Sequence, residues 1–487
     1  MAYVTQDRAG TELNRPYVED LPIHEWYRFV LSYPPHLVRD YLARFEVGEG
    51  QTVLDPYCGT GTTVVECKKR GVESVGIEPN PVVHMAASVK TDWDVDPDTL
   101  AADAERIAGA ASDRLRQANG DLRTLGPEQQ RLLIKNSISP APLHKALVLR
   151  DAIQEVARPR LRRHHELALA KQLVFSYSNL RFGPEVGVSR KKEVGVSRKK
   201  KDDADVVPLW LDAVRGMADD LRGVDRPGAR SRVLRGDARY ACGLLEPASI
   251  DAVIDSPPYP NEKDYTRTTR LESVVLGFLS DRADLRQMKD DLMRSNTRNV
   301  YKGDSDGEWV AENDRVMDLA DRIEARRLEL GKTSGFEKLY HKVVRNYFGG
   351  MARHLASLRP ALKPGARLAY VVGDQASFFR ILSGPARSWA RSGRDLGTDS
   401  TGSTCSASES RPSPATCSAR RPSCLRGRAD GGEPVHPSHR AHLRLICHPE
   451  PAKDLDSGSQ DSSAGPGSLE VRRRDPSRAF RMTRRRG

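Results

Sequence analysis

Asp55, Gly59 and Gly61 sit together in the run VLDPYCGTGTT, Val53 to Thr63. Val53 and Leu54 end an apolar stretch, and Val64, Val65 and Cys67 continue with helix-like spacing, so the segment reads as strand, tight turn and helix. Glycines clear the side chains that keep a ligand off the backbone, and the first N–H groups of a helix are free to bind one. Pro56, Tyr57, Thr60 and Thr62 complete the turn. Asp55 falls at the carboxyl end of its strand, where open α/β sheets bind ligands. A second short strand, Glu73 to Glu78, also ends in an acid, which suits the paired hydroxyls of a ribose. These are the parts of a site for a nucleotide-type cofactor. Far downstream, DAVIDSPPYP (Asp251 to Pro260) closes another apolar run with Ser256, Pro257, Pro258 and Tyr259. The two prolines fix φ, so the Ser256 hydroxyl and the Pro257 carbonyl form acceptors that need no reorganisation. Tyr259 adds a flat face. Such a loop can grip a planar amine and align it with an electrophile.

The first run resembles the DP[FY]CGSGTT loop of S-adenosylmethionine-dependent methyltransferases acting on exocyclic amino groups of nucleic-acid bases. The resemblance covers about residues 20–380; its two loops are specific and the rest is generic. It implies that Asp55, Pro56, Tyr57 and the Gly59, Thr60, Gly61, Thr62 turn hold the methionine end of S-adenosyl-L-methionine, and that Glu78 holds the ribose. Asp237, in VLRGDA, would face the adenine amino group; its competing role is a helix cap. Asp255 joins the cofactor side, while Ser256, Pro257, Pro258 and Tyr259 would do the chemistry. An exocyclic amine is a poor nucleophile because its lone pair is conjugated with the ring, and acceptors against its N–H groups favour a pyramidal nitrogen. Tyr259 would stack on a base flipped out of DNA. No strong general base is needed, since the methylated amine is itself acidic. Within that family Ser-Pro-Pro-Tyr is usual in N4-cytosine enzymes and Asp/Asn-Pro-Pro-Tyr in N6-adenine enzymes. Asp255 lies one position early for the adenine pattern, so cytosine N4 is the favoured target. The alternatives are N6-adenine methylation of DNA, methylation of an RNA base amine, and an inactive remnant. Cytosine C5 chemistry is disfavoured, because it needs a cysteine after a proline and Cys58, Cys67 and Cys242 follow none. A cognate restriction enzyme would be a partner within a restriction–modification system. No metal is expected.

The 487 residues carry a net charge of +12, but its distribution matters more than its size. From Gly384 to Gly487 there are 19 Lys and Arg against 11 Asp and Glu, so most of the surplus lies in the tail. That tail is rich in Ser, Arg, Pro and Gly, and contains Cys405, Cys417, Cys424 and Cys447. Its ending resembles out-of-frame translation of repeated intergenic bacterial DNA. The expectation is a frameshift near residues 382–395 and a disordered tail over 384–487. No run of about 18 apolar residues is present, and the first residues lack the basic and apolar regions of a signal peptide. A cytoplasmic protein with reduced thiols is the default.

The elements that must position these loops follow in order. The expected fold class is α/β, a Rossmann-like class I methyltransferase sheet with helical insertions. Residues 1–95 hold an N-terminal helix, starting at Pro34 or Pro35, and the cofactor half of the sheet. Just upstream, Trp26 and Tyr33 are candidates to close over the methionine end, with core packing as their competing role. Residues 96–226 read as a helical insertion. Inside it EVGVSRKK is repeated in tandem from Glu185 to Lys200, as a surface loop whose basic cluster extends to Lys201. Residues 227–383 hold the catalytic half, with a second helical insertion over 261–345. The two insertions are joint candidates for target recognition, and Arg267, Arg270, Arg298 and Lys302 for tracking a DNA strand. A sheet of this class ends in an antiparallel hairpin. With five strands legible, that hairpin is expected to be missing and the sheet edge exposed.

Overall fold

The structure is a computed structural model. It describes residues 17–27, 32–118, 120–182, 186–188, 201–225, 228–260, 263–373 and 375–383, together with the strand backbones 398–400 and 441–448. In chain order the strands are β1 (Thr52–Asp55), β2 (Glu73–Ile77), β3 (Leu180–Phe182), β4 (Val186–Val188), β5 (Ser231–Leu234), β6 (Ile250–Asp255), β7 (Leu362–Gly373), β8 (Gln375–Phe378), β9 (Ile381–Ser383), β10 (Thr398–Ser400) and β11 (Ala441–His448). Seven of them form one sheet in the order β10-β11-β7-β6-β1-β2-β5, and every neighbouring pair is parallel.

The chain runs outward from β1 through β2 to β5, then returns to the other side of β1 with β6 and β7. The order therefore reverses between β1 and β6, which opens a crevice at their carboxyl ends. Strand alternation divides the core between the two faces. Val53, Ala252, Ile254 and Ala369 pack with Val38, Tyr41 and Leu42 of the helix Pro35–Arg44. Leu54, Val75, Val253, Leu368 and Tyr370 pack with Val343, Tyr347 and Met351 of the helix Tyr340–Leu358.

The first insertion is helical as expected: Pro97–Gln117, Pro140–Val156, Arg162–Gln172 and Val206–Gly223 bury their apolar stripes against each other. The repeat corrects the loop expectation in part. The first copy supplies β4, antiparallel to β3, while the second copy lies outside the described residues. Lys201 is not free for phosphate either, because its Nζ donates to the carbonyls of Phe175 (3.0 Å) and Ser176 (2.7 Å).

The tail also departs from expectation. Instead of an exposed β7 edge, β11 pairs with β7 in parallel from Arg367↔His442 to Gly373↔His448, and β10 pairs with β11. The segment is a short apolar run, with Leu443, Leu445, Ile446 and Cys447 interrupted only by Arg444, a length and composition that suit a strand. Among the described residues this sheet contains no antiparallel pair; the antiparallel pair β8–β9 stands apart from it. The remainder of 384–487 lies outside the described residues.

Candidate active site at the sheet switch point

Asp55 ends β1 and Asp255 ends β6, and the register Val53↔Ala252, Leu54↔Val253 sets the two strand ends side by side. The glycine turn and the Ser256–Tyr259 loop therefore leave neighbouring strands at the same edge of the sheet.

The glycine turn is pinned from several sides. Cys58 N–H donates to Ile77 O at 3.1 Å, drawing the turn onto β2. A Cβ on Gly76 would stand 2.8 Å from Cys58 Sγ, so the strand is bare where the turn crosses it. Gly59 and Gly61 have φ of 51° and 89°, the left-handed region that favours glycine. Gly61 is the N-cap of the helix Thr62–Lys69, and a side chain there would also press on Ala87 at 3.1 Å. Thr63 is the tie that sequence reasoning passed over, although it is the second threonine of GTT. Its hydroxyl donates to Ile254 O of β6 at 3.2 Å and meets the Tyr33 hydroxyl. Ser32 Oγ lies 3.3 Å from Thr60 Oγ1. The upstream segment thus touches the turn through Ser32 and Tyr33. Trp26 belongs elsewhere, donating to Asp220 at 2.8 Å in the first insertion.

Asp55 Oδ1 accepts the Tyr57 N–H at 3.3 Å, while Asp55 Oδ2 and the Tyr57 hydroxyl are buried without a partner. Glu78 follows β2 and accepts the Asn80 N–H at 2.8 Å. Burial pushes the Glu78 carboxyl up to about 7 and the Asp55 carboxyl up to about 6. Asp237 follows β5 and caps the next turn through the Arg239 N–H at 2.9 Å. It also forms an ion pair with the buried Arg239 guanidinium at 2.7 Å. Arg239 donates onward to Asp306 at 2.5 Å and to Asp290 O at 2.7 Å, so the second insertion is tied to the turn after β5.

In the catalytic loop the Tyr259 hydroxyl donates to Val371 O at 3.3 Å and lies 3.3 Å from Ser256 Oγ. When the Tyr259 proton points to Val371 O, Ser256 is the donor of the Ser256–Tyr259 pair. In that arrangement Ser256 keeps its lone pairs to accept from a ligand. Behind the site, His354 Nδ1 donates to Ala238 O at 2.9 Å, which leaves Nε2 to accept from the Tyr370 hydroxyl at 2.7 Å. Burial pushes this His354 down to about 4, so it is a neutral prop at physiological pH.

The four basic candidates divide. Arg270 donates to Thr266 O and Oγ1 and to Leu132 O, joining the two insertions, and Arg267 donates to Val186 O of β4. Arg298 and Lys302 are exposed. Among the described residues no cluster of His, Cys, Asp and Glu could hold a metal, and no helix is long and apolar enough to cross a membrane.

A parallel sheet with a glycine turn and two acids at its switch point defines an α/β protein built around a nucleotide-type cofactor. A family model described as DNA methylase matches residues 19–88, the segment that carries this turn. The chain is 23% identical over 395 residues to Type II methyltransferase M.BsoBI of Geobacillus stearothermophilus, covering 72% of this chain and 73% of that protein. It is 21% identical over 386 residues to Type II methyltransferase M.AvaI of Nostoc sp., covering 74% and 76%. A stretch of 69 residues, 14% of this chain and 13% of the relative, is 36% identical to Type II methyltransferase M.MjaII of Methanocaldococcus jannaschii. These similarities support a DNA amino-methyltransferase family, whose methyl donor is S-adenosylmethionine. The site fits that donor: bare glycine backbone, a buried Asp55 oxygen without a well-formed hydrogen bond, and an acid at the end of β1 and another directly after β2.

Proposed function

We propose that this chain methylates an exocyclic base amine in DNA, with cytosine N4 as the target. The observation that carries the reading is the adjacency of the Asp55 and Ser256 loops on β1 and β6. S-adenosylmethionine supplies an electrophilic methyl group on a sulfonium centre. Asp55 and the Gly59–Thr62 turn hold its methionine end, and Glu78 its ribose. Asp237, paired with Arg239, accepts from the adenine amino group. Ser256 Oγ and the Pro257 carbonyl accept the two N–H groups of the target amine, which turns the nitrogen lone pair out of conjugation. Tyr259 carries the flipped base on its ring. The role of the protein is alignment and fixed dipoles. Serine rather than a carboxylate ahead of Pro257 supports cytosine over adenine.

The domain assignment is part of the same proposal: 1–95 and 227–383 form the catalytic body, and 96–226 and 261–345 read the target. Residues from about 382–395 onward follow a frameshift. One experiment separates the readings. DNA and RNA are incubated with labelled cofactor, digested to nucleosides and resolved. Label in N4-methylcytosine is expected; label in N6-methyladenine or in RNA overturns the target, and no label points to an inactive remnant.

A further inference from the structure

Asp55 and Asp255 stand at the ends of adjacent strands with 1% and 0% of their surface exposed. Asp55 Oδ2 and both carboxyl oxygens of Asp255 accept no well-formed hydrogen bond; the two carboxyls face each other, and the backbone N–H groups of Ser256 and Tyr57 are the donors nearest to Asp255. The titratable groups that face them are Tyr33 of the upstream segment, Tyr57 and Cys58 of the turn, Cys67 of the following helix, Glu78 after β2, Tyr347 of the helix Tyr340–Leu358 and Tyr370 of β7. None of these is a cation. Arg239, beside Tyr57, is already bound to Asp237 and Asp306. Two ionised carboxylates in so dry a place repel each other, and without a counter-charge one of them keeps its proton. Burial, followed by the Asp55 charge, holds Asp255 well above the usual carboxylate range.

We propose that the Asp55–Asp255 pair carries one shared proton in the ligand-free protein and releases it to solvent when the cationic end of the cofactor docks. The inference rests on the assignment of Asp55 to that end of the cofactor. The incoming positive charge takes the place of the proton, so the pair then bears two negative charges beside one or two positive ones. Cofactor affinity accordingly rises with pH, by up to about tenfold per unit where a full proton is released.

The test is calorimetric titration of the full-length protein at pH 7 in phosphate and in Tris, whose ionisation enthalpies differ. S-adenosylmethionine and S-adenosylhomocysteine are the two ligands. Wild type is expected to release between about half and one proton per bound ligand. D255N is expected to bind while releasing less than about half as much. Release with both ligands assigns the docking cation as the ammonium group, which both contain; release with S-adenosylmethionine alone assigns the sulfonium. Binding with no buffer dependence in wild type overturns the proposal. So does undiminished release from D255N, which would point to Glu78 as the source. Should D255N fail to fold, the pH dependence of wild-type affinity between pH 6 and 8 decides, and a flat profile overturns the proposal. Failure of wild type to bind either ligand removes the cofactor assignment itself, a different result from binding without proton release.

Discussion

Ser256 and Tyr259 work as a pair because one proton has two claimants. In the arrangement where the Tyr259 hydroxyl donates to Val371 O, Ser256 donates to Tyr259 and keeps its lone pairs for the ligand. Removing the Tyr259 hydroxyl leaves the ring in place but lets the serine proton turn toward the amine. Y259F is expected to lower kcat on the order of tenfold with little change in KM for DNA, and S256A by on the order of tenfold to a hundredfold. Single-turnover methylation measures both, and an unchanged rate in Y259F refutes the orientation argument. Glu78 makes a separate prediction about pH. Its carboxyl is raised from the ordinary 4.5 to about 7, so the folded protein binds that proton more tightly than the unfolded chain. Its contribution to stability is therefore most favourable below the ordinary value and is lost as pH rises through about 7. A buried histidine such as His354, lowered to about 4, slopes the other way, so the clean observable is a difference. E78Q and wild type are expected to have similar stability to urea at pH 5. At pH 8 E78Q should be more stable on the order of 2 kcal/mol, while binding cofactor more weakly. A gap that does not widen with pH contradicts the assignment.

At the level of elements, the site exists because neighbouring pieces are clamped. Thr63 ties the helix after the glycine turn to β6, and its loss as T63V is expected to cost on the order of 1 kcal/mol of stability. The same substitution frees Tyr33, so the affinity for cofactor should fall further than stability alone accounts for; isothermal titration beside a urea melt separates the two. Gly349 shows how closely the second insertion is docked. A Cβ on it would fall 1.8 Å from Asp306 O, and Asp306 in turn holds Arg239 and Arg353. G349A is expected to destabilise by about 3 kcal/mol or more, since backbone must move to make room. A thermal melt close to wild type would mean that this contact is not maintained.

For the whole molecule, the decisive feature is the far edge of the sheet. β11 covers β7 in parallel, in the place where a sheet of this class carries an antiparallel strand. Deleting residues 384–487 exposes the hydrogen-bonding edge of β7, and such edges template aggregation. The shortened chain is expected to lose most of its soluble yield in size-exclusion chromatography. Restoring the reading frame near residues 382–395 is expected to raise both yield and methylation rate above those of the present chain. Equal activity from the two chains would remove the frameshift proposal.

Local chemistry was legible from residues alone. DPYCGTGTT and DSPPYP announce a turn and a rigid loop through glycine and proline geometry, which depends on the backbone at those positions and little else. The apolar runs before them mark β1 and β6 for the same reason. What the chain could not announce was partnership across distance. Arg270 reads as a free cation until Leu132, 138 residues away, supplies a carbonyl. Asp237 looks open until Arg239 folds back onto it, and AHLRLICH looks like debris until a sheet edge offers it a ladder. Charge pairing, strand pairing and the shared proton at Asp55 and Asp255 all need a second group brought near, and only the tertiary fold sets those distances.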